Sequence, residues 1–145
     1  MITMLTIFII ECVKSGKKYY GCSKIEDPAN KKYYNPINYM LRQEGKFELL
    51  RESVKEFGFK KHHCRLIIPP QGEEMSDYDK QIAVYNKILA LKDAGLSLND
   101  MAISPEREKC PDCGSVVRLH FMEVHQREYC SAVLGKSDLD ELRNV

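Results

Sequence analysis

The sequence predicts an α+β fold: a small three-stranded antiparallel sheet with flanking helices, followed by a C-terminal zinc knuckle. Three observations lead there. Two strand-like runs, LTIFIIECV and KYYGCS, flank the turn-forming KSGKK near the start. A helical repeat of apolar residues then precedes a third such run, HHCRLII. Finally, KCPDCGSVVRLHFMEVHQREYC packs three cysteines and two histidines into residues 109–130.

LTIFIIECV, residues 5–13, is rich in branched residues and Phe, as strands are. Gly16 stands at the natural turn position, and KYYGCS returns as the second strand of a hairpin. KIEDPANKKYYNP is a loop punctuated by Pro28, Asn30, Asn35 and Pro36. Over residues 38–58, Phe47, Leu50, Val54 and Phe57 recur at helical spacing, and Gly58 is the stop. HHCRLII, residues 62–68, is the third strand, ended by Pro69 and Pro70. Strand alternation puts His62 and Cys64 on one face and turns His63 away. Two ligands are too few for a metal, so that pair is expected to be structural.

Ser76 can cap a long helix from about Asp77 to Ala94. Asp77 and Asp79 lie in its first turn, Lys92 in its last, and Gly95 follows, as helix polarity favours. Tyr78, Ile82, Tyr85, Leu89 and Lys92 mark one face, and the Ile82-Tyr85-Leu89 stripe is expected in the core. LSLND starts a short further segment, and KSDLDELRNV carries a helical start at Ser137-Asp138. The organisation expected is a domain over 1–70, a helical extension or linker over 71–108, a zinc finger over 109–132 and a tail over 133–145.

Composition narrows the class. With 145 residues, 43% hydrophobic and 30% charged, the chain is a globular protein. No window approaches the roughly 18 uninterrupted apolar residues of a membrane span. MITMLTIFII lacks a basic leading region and a small-residue cleavage site, so it is expected to be a buried strand. A cytoplasmic location, or nucleoplasmic in a host cell if the protein is viral, is the expectation, with no membrane partner. Free or metal-bound cysteines then fit better than a disulfide framework. The net charge of +1 hides an asymmetry. Residues 1–70 hold 13 Lys/Arg against 7 Asp/Glu, whereas 71–109 hold 5 against 8 and 110–145 hold 4 against 6. A basic first part suggests an anionic partner, with a merely solvated lysine surface as the plainer alternative.

Zinc takes four thiolate or imidazole ligands in a tetrahedron. Cys110 and Cys113 can present two sulfurs from one tight turn, which Gly114 relaxes. His125 and Cys130, five apart, suit a helix and its C-terminal end. His120 competes for the third place, but its interval to Cys113 is the less suitable. Val117, Leu119, Phe121 and Val124 are expected to supply a tiny core, too small to fold without the metal. The predicted ligands are Cys110, Cys113, His125 and Cys130, and the zinc is structural. Arg118 and Arg127 stand against Asp112, Glu123 and Glu128, so a protein contact suits this module at least as well as base readout.

TIFIIECVKSGKKYYGCSK resembles the opening of the GIY-YIG nuclease family. Thr6-Ile7-Phe8 stands for the first motif and Tyr19-Tyr20-Gly21 for the second. LRESVKEFGFKKHHCRLI is similar to the family's helix, glycine turn and third strand. The resemblance covers about residues 5–68, and small zinc modules on such domains are familiar among phage and large-virus relatives.

The resemblance implies metal-dependent phosphodiester hydrolysis with magnesium or manganese, on DNA or RNA. It implies that Tyr19 orients the attacking water, Lys24 and Lys32 balance phosphate charge and Glu73 holds the metal, with Glu74 its alternative. Lys17, Lys18, Lys31 and Tyr34 are the expected nucleic-acid contacts. Tyr33 and Tyr34 could stack on bases or equally well cover the sheet. The chain departs from the family pattern at Phe8 for the first tyrosine, Ala29 for the arginine and Ile68 for the glutamate. Arg42 lies further on. The other reading of the same fold is a catalytically inactive scaffold that binds protein or nucleic acid, such as a viral protein engaging a host factor.

Overall fold

The computed structural model describes residues 3–31, 33–69 and 72–130. It has mixed α/β architecture and divides into two compact units, Met1–Ala102 and Ile103–Val145. The expected tail and Lys32 lie outside the described residues.

The first unit is built on three antiparallel strands: β1 (Thr3–Cys12), β2 (Lys18–Glu26) and β3 (His62–Ile67), in the order β2-β1-β3. The register pairs Phe8 with Gly21 and with Leu66, and Ile10 with Tyr19 and with Cys64. Because side chains alternate across a sheet, Phe8, Ile10 and Cys12 share one face with Tyr19, Cys64 and Leu66. That face carries the main core, where Ile37, Met40, Leu50 and Leu98 join it. Ile10, Ile37 and Leu50 are wholly buried. A Leu50→Ala change there removes packing worth about 2–5 kcal/mol.

Two helices cover this face, α1 (Ile37–Leu41) and α2 (Glu48–Phe57). The predicted Phe47-Leu50-Val54-Phe57 repeat does pack on the core, and Gly58 ends α2 at φ 91°. The start of α2 is not local. Phe47 occupies the N-cap position with φ 58° and has no side chain able to cap. Asp100, far along the chain, accepts from the amides of Glu48 and Leu49, both at 2.9 Å. Arg51 ties the α1–α2 loop by donating to the carbonyls of Leu41, Gln43 and Lys46.

The helix α3 (Asp77–Asp93) contacts β1 and β2. Ser76 caps it by accepting from the Asp79 amide at 3.1 Å, as expected. Its buried stripe differs from the expected one. Lys80, Val84 and Ile88 face inward, while Tyr78 and Leu89 are exposed and Ile82 and Tyr85 only half-buried. The reason is Lys80: its stem lies inside and its ammonium donates to the Leu5 carbonyl at 2.8 Å. A lysine satisfied in this way can occupy an inward position that polarity alone assigns to solvent.

After α3 the chain runs along the outer edge of β2. Lys18 N donates to Leu96 O at 2.9 Å and Leu98 N to Lys18 O at 2.7 Å, a parallel bridge between Lys18 and Ser97. The LSLND segment thereby covers the start of the β2 edge, at Lys18 and Tyr20. The first unit therefore extends past residue 70 to Ala102. No described helix is long and apolar enough to cross a membrane.

The second unit has a short hairpin, β4 (Arg107–Lys109) with β5 (Val116–Arg118), then a short helix α4 (Met122–Val124) running into a π turn, His125–Tyr129. Its expected apolar core is thin. Leu119 and Phe121 are exposed and Val117 and Val124 half-buried, whereas Cys110 and Cys130 are buried.

Candidate metal centre and candidate ligand groove

Cys110, Cys113, His125 and Cys130 converge in the second unit, their ligand atoms all within 4.8 Å of one another. Three local features bring them together. The Cys110 amide donates to Ser115 O at 2.7 Å and the Gly114 amide to Cys110 O at 2.9 Å, forming a tight knuckle. Gly114 sits at φ 77°, a left-handed turn position that a side chain would disfavour. At the other end, the Cys130 amide donates to His125 O at 2.6 Å, and the π turn swings Cys130 back toward the imidazole.

The distances suit a small tetrahedral ion. Cys110 Sγ and Cys130 Sγ are 3.7 Å apart, and Cys113 Sγ lies 3.3 Å from His125 Nε2. Zn–S bonds of about 2.3 Å and Zn–N bonds of about 2.0 Å in a tetrahedron give about 3.8 Å and about 3.5 Å for such pairs. Hydrogen bonds from the Ser115 side chain and backbone, and then from His125, pull the Cys113 thiol down to about 5, so it is a thiolate near neutrality. A thiolate is the form that binds metal. The cluster could hold a metal ion such as zinc. His125 is its histidine; His120 is exposed and stacks edge-on against Phe121 at 5.0 Å.

In the first unit the remaining predicted residues scatter. Tyr19 lies on the α1–α2 face of the sheet, stacked on Phe8 with ring centroids 6.0 Å apart and edge-on to Phe47 at 6.0 Å. Burial first, then the Asp100 carboxylate and Cys22, push its phenol up to about 12. Lys24 is five residues along the same regular strand, so it projects from the opposite face and is exposed. Glu73 is exposed between β3 and α3, and no hydrogen bond or ion pair links it to Tyr19 among the described residues. Hydrogen bonds from its own backbone amide first, and then from the Gly72 amide at 3.2 Å, lower the Glu74 carboxyl. Ile68 follows the end of β3 and is exposed.

Gly21 has a reason to be glycine. A Cβ there meets the Phe8 ring at 2.6 Å from Cζ and 2.8 Å from Cε1. The Phe8 ring thus lies across Gly21 of the neighbouring strand.

The two lysines of the hairpin are separated from the other expected contacts. Lys18 pairs with Glu11 at 3.4 Å. Lys17 lines a small cleft with Glu52, Glu56 and Ser53. Lys31 and Tyr34, in contrast, share a cleft of about 280 Å³ with Arg65, Leu66 and Ile68. A neighbouring cleft of about 320 Å³ is lined by Tyr33, Tyr34, Phe59, Lys60, His63 and Cys64, among others. Tyr34 and Cys64 belong to both, so the two form one groove along β3. Neither cleft has a carboxylate in its lining. Phe59, Lys60 and Arg65 were not singled out from sequence. The signal was present in FKKHHCR, an aromatic followed by a basic run.

His62 and Cys64 behave as expected of structural residues. His62 Nδ1 donates to Gly58 O at 2.8 Å, and its Nε2 shares a 2.7 Å hydrogen bond with the Ser53 hydroxyl. All six cysteines are free of disulfides, and burial pushes the Cys64 and Cys22 thiols up to about 11.

No family model matches the chain, and no curated protein or solved structure matches it either.

Proposed function

We propose that this chain is a nucleic-acid-binding protein built on a GIY-YIG-like domain, with a structural zinc in its C-terminal module, and that it binds without cutting. The groove along β3 carries this reading. Lys31, Lys60, His63 and Arg65 line it, no carboxylate does, and no ion pair among the described residues occupies Lys31, Lys60 or Arg65. Unpaired cations around a concave, aromatic surface suit a phosphate backbone. Binding without cleavage is favoured by Tyr19: a phenol held near 12 between two aromatic rings is a poor base at neutral pH. Lys24 on the other face and Glu73 without a link to Tyr19 support the same view.

The test is binding of labelled DNA and RNA over a salt series. The expected result is an affinity that falls steeply with salt, with the slope reduced in Lys60→Ala and Arg65→Ala. No binding to any nucleic acid at low salt defeats the proposal.

The endonuclease reading is favoured by one observation, the Phe8–Tyr19–Gly21 cluster on adjacent strands, where the two family motifs resemble this chain. Under it, magnesium or manganese would supply Lewis-acid stabilisation of phosphate charge. Plasmid cleavage with either metal, lost in Tyr19→Phe, would establish it in place of simple binding.

A further inference from the structure

We infer that the groove along β3 takes single-stranded nucleic acid, with unpaired bases stacked on Tyr33 and Phe59 and phosphates held by Lys31, Lys60 and Arg65. This rests on the nucleic-acid reading above and adds the form of the ligand.

The sheet has two outer edges, and they differ. On β2, Asn99 and the Lys18–Ser97 bridge occupy the edge. On β3, no further described strand pairs, and the groove runs along that side from Tyr33 to Ile68. The groove with Lys31, Lys60 and Arg65 in its lining thus lies on a side of the sheet that no further described strand covers.

The aromatic residues decide the ligand. Tyr33 is 76% exposed and Phe59 39% exposed, and neither ring meets another aromatic among the described residues. Tyr34 is different: it packs edge-on against Phe8 at 5.8 Å, which turns its ring toward the core, and it lines both clefts. Exposed ring faces next to cations are of use to bases that have left a stack. A duplex keeps its bases inside and offers phosphates and groove edges, which lysines alone can meet. The clefts, about 320 and 280 Å³, fall at the small-molecule end of binding-site volumes, about 300 Å³ and upward. That size suits one or two splayed nucleotides. An acidic peptide added to the β3 edge could also meet the cations, but it would leave the ring faces unused.

The experiment is fluorescence anisotropy with the full chain at low salt. The probes are a mixed-sequence single strand of about 12 nucleotides, within the usual range of single-strand site sizes, and the duplex of the same sequence. The single strand is expected to bind at least about tenfold more tightly. Tyr33→Ala and Phe59→Ala are each expected to weaken single-strand binding about tenfold while leaving duplex binding unchanged. Lys60→Ala should lower the salt slope by about 0.7 for the single strand. Both aromatic positions are exposed, and circular dichroism of each variant checks that the fold is retained.

Equal affinity for duplex and single strand, or no effect of either aromatic variant, overturns the inference. In that case salt-dependent binding lost in Lys60→Ala leaves the broader nucleic-acid reading standing. Polyglutamate displacing the oligonucleotide at equal charge concentration also overturns it, since charge alone would then explain the groove. No binding of either probe defeats the broader reading along with the inference.

Discussion

The Asn99 side chain and the Tyr20 backbone exchange two hydrogen bonds. The Tyr20 amide donates to Asn99 Oδ1 at 2.9 Å, and Asn99 Nδ2 donates to the Tyr20 carbonyl at 2.9 Å. A carboxamide here does what a neighbouring strand would do. It satisfies both backbone groups of an edge residue and holds the segment whose next residue, Asp100, caps α2. One short loop thus joins the β2 edge to the helix on the core face.

Replacing Asn99 by Leu leaves a half-buried donor and acceptor on Tyr20 unpaired. Each such loss costs about 1–3 kcal/mol when the group is fully buried, and water reaches part of this one, so the variant should lose about 2 kcal/mol of stability. Chemical denaturation measures it, and a loss below about 0.5 kcal/mol would mean that water replaces the carboxamide freely.

Gly21→Ala places a methyl group in the Phe8 ring. Overpacking of this kind costs about 1–3 kcal/mol. The same change in a Phe8→Leu background should cost much less, because the clashing ring atoms are gone. A double-mutant cycle by thermal or urea unfolding tests the coupling, and purely additive effects would contradict the contact.

Zinc analysis should return about one ion per chain. Cys113→Ser, or a strong chelator, should unfold the second unit, because its burial falls on the cysteines and little apolar surface is left to hold it. The first unit has its own core and should keep its structure. Amide exchange resolved along the chain is the measurement. Loss of protection in β1 and β2 on zinc removal would show that the units depend on one another.

The Tyr19 phenol gives a pH signature. Its folded value is about 12 against an ordinary 10. Between those values the folded chain keeps a proton that the unfolded chain has released, so stability is full below about pH 10 and falls as pH rises toward 12. The loss amounts to roughly 2–3 kcal/mol. Tyr19→Phe has no hydroxyl to ionise, so its alkaline decline should be correspondingly shallower. Equal slopes in the two proteins would mean the hydroxyl reaches water.

Much of the fold was legible in local pattern. The hairpin, the repeat of α2 and the Ser76 cap all appear where residue spacing and type placed them. The cluster of Cys110, Cys113, His125 and Cys130 was legible for the same reason: knuckle, glycine and closing turn act over a few residues. The buried stripe of α3 was not legible. Polarity assigns Lys80 to solvent, yet a carbonyl 75 residues away receives its ammonium.

The chain's own chemistry therefore determined its α+β class, its strands and helices, and the four residues that converge into a cluster able to hold a metal ion. Each depends on periodicity or spacing within one element or one turn. Tertiary structure decided which face of α3 is buried, where the β2 edge is covered and which cations share a groove. Lys31 and Lys60 are distant in sequence, and they come to neighbouring clefts because Tyr34 and Cys64, which line both, meet in the folded chain. Contacts of that range depend on how whole elements pack, and no short pattern of residues encodes them.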